Sequence, residues 1–418
     1  MYRESSTTEL KQTVTSRYLK TVSAFSNYNG GDIIFGITDQ GILAGLDSPV
    51  QKALDIENQI NDNIIPQPQY EISVNEQEKT VTVHVFKGMT PPYYYKGTAY
   101  RRNDTSTIPV DWLELNRLIL DGKNLEFGDL PCGKTDLSFQ TFEKLWRTSF
   151  STPFDNDLLK NLNLMADSGQ ITNTGLLLSD QNSFPGLAVV QFGDTINHLL
   201  VNEIYNSGSL LEQFTDGYSR LSSLLSYEEI TGLPERQIRT RLPMEALREA
   251  LVNAFAHRDW MLKDEIKVMI YQDRLEITSP GGLPATMSQE EYLYSTRSVP
   301  RNTTLTWVLL RLQWIEKLGT GTQRIQSAYS DSLLQPSFRF FDHSIQITLP
   351  FTDRKLRLSS EQNLLVAAAG RGRWLTRKEI DRLTGFSQSK TTRILRDLIS
   401  LSLAEKRGNS RNTEYRLR

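Results

Sequence analysis

Lys390, Arg393 and Arg396 recur every three residues within Ser387–Leu401, and Ile394, Leu395, Leu398 and Ile399 interleave with them. On a helix the three cations share one side and the four apolar residues the other. Such a helix can pack its apolar side on partner helices and leave a cationic side for a polyanion. Downstream, Lys406, Arg407 and Arg411 surround a Gly-Asn turn, a placement suited to phosphate contacts whose affinity would be salt-dependent. Earlier, Glu245, Glu249, Asn253 and His257 recur every four residues along one helical stripe. That stripe is either a site or a solvated, hydrogen-bonded face. Tyr93, Tyr94, Tyr95, Lys96, Tyr100, Arg101 and Arg102 crowd a β-rich stretch. They could stack bases and contact phosphates, or be tyrosines packed on a sheet. His84, His198, His257 and His343 are too scattered for metal-ligand spacing, and the single Cys132 excludes an intrachain disulfide or a cysteine zinc cluster.

The elements that must position these residues are delimited by breaks in the pattern. Pro-rich and Gly-rich stretches divide the 418 residues into 1–127, 128–352 and 353–418. Charge respects the last division. From Arg354 onward sixteen Lys and Arg stand against six Asp and Glu, giving the tail +10; the whole chain is −2, so the remainder carries −12. A basic segment on an acidic body points to an anionic polymer as partner, and a solvated charged face is the plain alternative. Hydrophobic residues at 38% and charged residues at 23% are ordinary for a folded protein and argue against long disorder. No apolar run reaches the ~18 residues of a membrane span, and the N-terminus is polar, so a cytoplasmic protein is expected.

In the tail, helices are predicted over Leu356–Ala369, Thr376–Leu383 and Ser387–Leu401, then a β-like wing over Ala404–Leu417. Thr376 with Glu379 forms a capping-box signature, and Gly385 supplies a turn. In the middle, a helix over Met244–His257 turns Leu247, Ala250, Leu251, Ala254 and Phe255 away from the polar stripe. Strands Ile266–Tyr271 and Leu275–Thr278 flank a turn at Gln272–Arg274, and a loop at Ser279–Pro284 comes next. A helix is predicted to begin near Gln323, after Gly319-Thr320-Gly321. At the start, a helix near Tyr18–Ser26 precedes a β-hairpin across Asp32–Leu46 that turns at Gln40-Gly41.

Three resemblances sharpen this reading. The tail resembles a winged helix-turn-helix, which implies contact with double-stranded DNA through Lys390, Arg393, Arg396, Lys406, Arg407 and Arg411; such modules also serve protein–protein contact. The middle stretches REALVNAFAHRD, YQDRLEITSPGGLP and IEKLGTGTQRI resemble the histidine-kinase/gyrase-type (Bergerat) ATPase fold, and more closely the divergent C-terminal domain of RecG-like transcriptional regulators. That resemblance implies Glu249 as general base, Asn253 on Mg²⁺, and Gly281, Gly282, Gly319 and Gly321 around ATP. The chain departs from it in one respect: the first glycine loop, Ser279-Pro280-Gly281-Gly282, lacks the Asp that binds adenine in those ATPases. No Walker A pattern occurs, so a RecG-type motor is not supported. At the N-terminus, Glu9-Leu10-Lys11, the Ala24–Gly31 stretch AFSNYNGG and the Phe35–Gly41 stretch FGITDQG resemble the Schlafen AlbA-type domain. Nuclease members of that family imply Glu4, Glu9 and Asp39 as a Mg²⁺ or Mn²⁺ site with Lys11 beside the scissile phosphate.

The expected fold is therefore α+β and multidomain: an AlbA-type Schlafen domain, a divergent Bergerat-like α/β sandwich and a C-terminal winged helix. The resemblance implies a homo-oligomeric, DNA-binding transcriptional regulator open to a nucleotide-like effector. A metal-dependent nuclease acting on RNA or DNA is the alternative, and an ATP-hydrolysing switch a weaker one.

Overall fold

The computed structural model describes residues 2–229, 237–284, 287–316, 319–353, 359–370, 372–400, 403–408 and 413–417. They form two compact units, 1–130 and 131–418. The chain is a mixed α+β protein with several sheets.

The first unit runs β1 (Thr8–Lys11), α1 (Tyr18–Asn27), β2 (Gly31–Phe35), α2 (Pro49–Asn63), β3 (Ile64–Ile65), β4 (Tyr70–Asn75), β5 (Thr80–Val85), β6 (Tyr94–Tyr95), β7 (Thr98–Asn103), β8 (Ser106–Pro109) and α3 (Trp112–Gly122). One sheet has the order β1-β2-β5-β4 and the other β3-β6-β7-β8. Tyr18, Leu19, Val22 and Phe25 recur at helical spacing on α1 and are buried with Ile33, Phe35, Val81, Val83 and Val85 of the first sheet. Each such side chain contributes about 1.5–3 kcal/mol by leaving water.

The expected hairpin is corrected in part. The turn exists, with Gly41 at φ 77° and its N–H donating to the Thr38 carbonyl. However, β2 pairs in parallel with β1 and antiparallel with β5. The chain beyond the turn returns to residues 36–38 through the Ile37–Leu43 bridge and hydrogen bonds of Thr38 N–H to the Ile42 carbonyl and of the Ala44 and Gly45 N–H groups to the Gly36 carbonyl, without joining β2 as a strand. The alternation in Asp32–Leu46 marks a buried strand correctly and misassigns its partner.

The AFSNYNGG stretch is a joint between α1 and the second sheet. Buried Asn27 donates through Nδ2 to the carbonyls of Tyr93 (3.0 Å) and Tyr100 (3.3 Å), and its Oδ1 accepts from the Tyr93 N–H (2.6 Å). Gly30 has φ 72°, and a Cβ there would lie 2.7 Å from the Val85 carbonyl oxygen.

The second unit opens with α4 (Gln140–Ser149), α5 (Asn156–Asn161), α6 (Asn173–Leu178), β9 (Leu187–Phe192), β10 (Leu199–Tyr205), α7 (Leu210–Leu225), β11 (Ser226–Glu229) and β12 (Gln237–Thr240). It continues with α8 (Met244–His257), β13 (Ile266–Ile270), β14 (Arg274–Pro280), α9 (Gln289–Tyr294), α10 (Thr303–Arg311), α11 (Gly321–Ser327), β15 (Ser337–Phe341) and β16 (Ser344–Pro350). The six-stranded sheet β10-β9-β13-β14-β16-β15 is antiparallel except at β9–β13. Helices α7 and α8 pack on it, and Leu247, Ala250, Leu251, Ala254 and Phe255 of α8 are buried as the sequence pattern requires.

The tail forms α12 (Ser360–Ala369), β17 (Trp374–Thr376), α13 (Arg377–Thr384), α14 (Gln388–Ser400), β18 (Ala404–Arg407) and β19 (Glu414–Leu417). Its antiparallel sheet has the order β17-β19-β18. Thr376 and Glu379 make the capping box, and Gly385 ends α13 at φ 70°. The strand β17 is not evident from the sequence, and the expected start of the first helix at Leu356 lies outside the described residues. Among the described residues, no helix is long and apolar enough to cross a membrane.

Asn27→Ala would strand the Tyr93 N–H and remove the Asn27 donor from the Tyr93 and Tyr100 carbonyls, the first of which keeps Ser23 Oγ at 2.7 Å. Loss of about 1–3 kcal/mol is expected, read as a lower denaturant midpoint in equilibrium unfolding.

Candidate functional site

Glu9 is buried on β1, and a buried carboxylate needs partners on both oxygens. It has them: Arg102 Nη1 lies 2.5 Å from Oε2 and Lys11 Nζ 2.5 Å from Oε1. Arg102 is itself fixed by the Ser5 carbonyl (3.0 Å) and the Thr107 hydroxyl (2.9 Å). Glu4 Oε1 accepts from the Leu10 N–H (3.1 Å), while Asp39 is exposed on the turn after β2. Among the described residues, no three of His, Cys, Asp and Glu form a group able to hold a metal ion, Glu4, Glu9 and Asp39 included. Lys11 sits beside Glu9 and points its ammonium at that carboxylate and the Leu10 carbonyl.

The aromatic stretch is likewise engaged inside the fold. Tyr93, Tyr95 and Tyr100 are core residues, so stacking of bases on them is ruled out by their burial. Arg101 pairs with Glu114 (3.1 Å) and Arg102 with Glu9. These three tyrosines follow the sheet-packing reading.

In the second unit, Glu249 and Asn253 are half-buried neighbours on α8, with Asn253 Nδ2 donating to Glu249 Oε1 (3.2 Å). They face the start of α11: a Cβ on Gly321 would lie 2.6 Å from each of those two atoms. Gly281 and Gly282 sit at the end of β14, where Arg301 Nη2 donates to the Gly282 carbonyl (2.7 Å) and Arg301 Nη1 lies 3.4 Å from Asp259 Oδ2. Gly319 lies against the Thr296 carbonyl. Sequence reasoning misses Asp259 and Arg301, since both stand in irregular segments with no periodicity. His257, last on α8, is held down to about 4 by burial, and then by nearby Arg301. Burial also lowers Arg258 to about 10; its guanidinium donates to the carbonyls of Pro185 (2.7 Å) and Asp264 (2.5 Å) and lies over Trp260.

The tail separates its two sides as expected. Ile394, Leu395 and Leu398 are buried with Leu365, Leu375, Ile380 and Leu417, while Arg393 and Arg396 are exposed and Lys390 half-buried. Ser387, Gln388, Ser389, Thr392, Arg393 and Arg396 line a hollow of about 550 Å³. Glu361 on α12, another residue that sequence reasoning misses, meets Lys390 Nζ (2.8 Å) and Arg393 Nη2 (3.1 Å). Lys390, then Arg393, hold its carboxyl below the usual range. On the strands, Lys406 is exposed, and Arg407 pairs with Glu414 (2.6 Å) and covers the Trp374 ring. Arg411 lies outside the described residues.

Comparison with known proteins assigns two of these regions. Residues 4–111 match the family model "Schlafen, AlbA_2", and residues 263–349 match "Putative ATP-dependent DNA helicase recG C-terminal". The chain thus joins a Schlafen AlbA_2 domain to a RecG-C-terminal-type domain. The second match contains Gly281, Gly282, Gly319 and Gly321 but begins beyond α8, so Glu249 and Asn253 lie outside it. A crystal structure of the DIP2311 protein from Corynebacterium diphtheriae aligns over 99% of this chain and 95% of its own, at 17% identity and a TM-score of 0.49. The solution structure of the "N-terminal Domain of Putative ATP-dependent DNA Helicase RecG-related Protein" from Nitrosomonas europaea aligns over 25% of this chain and 83% of its own, at 26% identity and a TM-score of 0.20. Among curated proteins, none matches the chain.

The buried polar groups generate two expected outcomes. Arg102→Ala should cost about 3 kcal/mol, because Glu9 keeps only Lys11 in a dry site; urea unfolding of this variant beside Arg102→Lys measures it. For His257, the folded value of about 4 lies below the ordinary 6.5, so the unfolded chain takes up a proton first as pH falls. The stability this group contributes is complete above pH 6.5 and declines between 6.5 and 4. Melting temperature should fall less steeply over that window in His257→Gln than in the unaltered chain.

Proposed function

We propose that this protein is a DNA-binding transcriptional regulator whose tail is a winged helix-turn-helix acting on double-stranded DNA. The observation that carries the reading is the division of α14: its apolar side is packed in the tail's core, and Arg393 and Arg396 stand exposed on the other. Helix order, the capping box at Thr376, the turn at Gly385 and a three-stranded sheet that includes β18 and β19 all favour it. In this reading α14 enters the major groove, with Lys390, Arg393 and Arg396 on phosphates and base edges. Lys406 and Arg407, with Arg411, contact the flanking backbone from the wing. The charge imbalance supports the same assignment, since a tail of +10 on a body of −12 turns its basic part toward DNA. Two copies would read an operator of two half-sites, which makes a homo-oligomer the natural working form. A metal-dependent nuclease is not favoured, because Glu9 is engaged by two cations and, among the described residues, no three acids form a group able to hold a metal ion.

Lys390→Ala with Arg393→Ala tests the assignment. Removing two phosphate contacts should weaken duplex binding and reduce the slope of log K against log salt by about two. Fluorescence anisotropy across a salt series measures both, and an unchanged affinity and slope would remove α14 from the interface.

A further inference from the structure

We infer that the RecG-C-terminal-type region of this chain does not take up a nucleotide, because its two glycine loops are packing joints closed by the chain itself. A glycine that serves a phosphate keeps its Cα face open so that the ligand can approach the backbone. Here the four faces are taken. At the first loop, Gly281 has φ 103°, and a Cβ on it would lie 2.1 Å from Arg301 Nη1 and 2.8 Å from Asp259 Cβ. On Gly282 it would lie 2.3 Å from the Asp342 carbonyl oxygen and 2.8 Å from that of Phe341. The loop is held in that position: Gly281 N–H donates to the His343 carbonyl (2.8 Å), Asp259 N–H to the Pro280 carbonyl (2.8 Å), and Ser279 Oγ to the Ala254 carbonyl (3.1 Å).

At the second loop, Gly319 meets the same neighbouring segment. Gly319 has φ 60°, and a Cβ there would meet the Thr296 carbonyl oxygen at 2.3 Å. Thr296 and Arg301 belong to one stretch of chain, so residues 296–301 strap both loops, one at each end. The residues that the ATPase resemblance assigns to base and metal are engaged too. Glu249 and Asn253 bond to each other and abut Gly321 at the start of α11. Arg324, one turn into that helix, is held by Glu316 and feels the charges of Glu249 and Glu245. The first loop, moreover, carries no acid to accept the adenine amino group. ATP and its Mg²⁺ therefore do not fit the residues present, and the glycines are explained by the approach of the chain to itself. Gly282 and Gly319 face main-chain carbonyls, which cannot swing aside as a side-chain end can.

The experiment titrates the full-length protein with Mg²⁺-ATP by calorimetry and melts it with and without millimolar Mg²⁺-ATP. No saturable heat and an unchanged melting temperature are expected. In nucleotide-free buffer, Gly282→Ala and Gly319→Ala should each melt several degrees below the unaltered chain, or fail to fold. Saturable Mg²⁺-ATP binding that weakens in Glu249→Gln or Asn253→Ala would overturn the inference. So would glycine variants that melt with the unaltered chain. The titration of the unaltered protein decides the matter even if neither variant folds.

Discussion

A carboxylate taken out of water must be met by cations or donors on both oxygens, and this requirement fixes how the N-terminal unit is tied together. Glu9 is fixed by Arg102 on one oxygen and Lys11 on the other. Arg102 in turn reaches the Ser5 carbonyl and Thr107, so one ion pair ties the N-terminal segment and β1 to β7 and β8. Glu9, Lys11 and Arg102 are thus engaged in holding the unit together. The same logic sorts charges elsewhere: Arg258 is buried among carbonyls, Arg301 clasps a loop, Arg393 is exposed but paired with Glu361, and Arg396 stands exposed.

Backbone approach is the corresponding constraint in the second unit. The sheet β10-β9-β13-β14-β16-β15 carries α8, and α8 presents Glu249 and Asn253 to the start of α11. Four glycines allow the loops after β14 and before α11 to lie against neighbouring chain. Glu249 and Asn253, on the polar stripe of α8, bond to each other and meet Gly321 at the start of α11. The tail differs because α14 buries one side and leaves cations on the other.

Local pattern is legible wherever periodicity is strong. Met244–His257 has the same bounds in sequence and structure, and the caps at Thr376 and Gly385 locate α13, because apolar spacing and capping chemistry are properties of a few adjacent residues. Long-range pairing is not legible. The sequence matches β2 with the chain after Gly41, whereas its partners are β1 and β5; nothing local distinguishes a hairpin from a strand awaiting distant neighbours. Partners of charged groups are also hidden: Glu9 and Arg102 stand 93 residues apart, and Arg393 and Glu361 stand 32 apart. The tyrosines at 93, 95 and 100 are ambiguous from sequence because stacking platforms and packed strands use the same residues, and burial decides between them.

The most direct test of the account is to mix the full-length protein with labelled duplex DNA, single-stranded DNA and structured RNA, in Mn²⁺ or in EDTA, and run native and denaturing gels from the same tubes. A duplex that is shifted and intact in both conditions, with weaker shifts for the other two, is the predicted result. Strand cleavage that requires Mn²⁺ and disappears in Glu9→Ala would contradict it, making the N-terminal unit an enzyme and the tail its anchor.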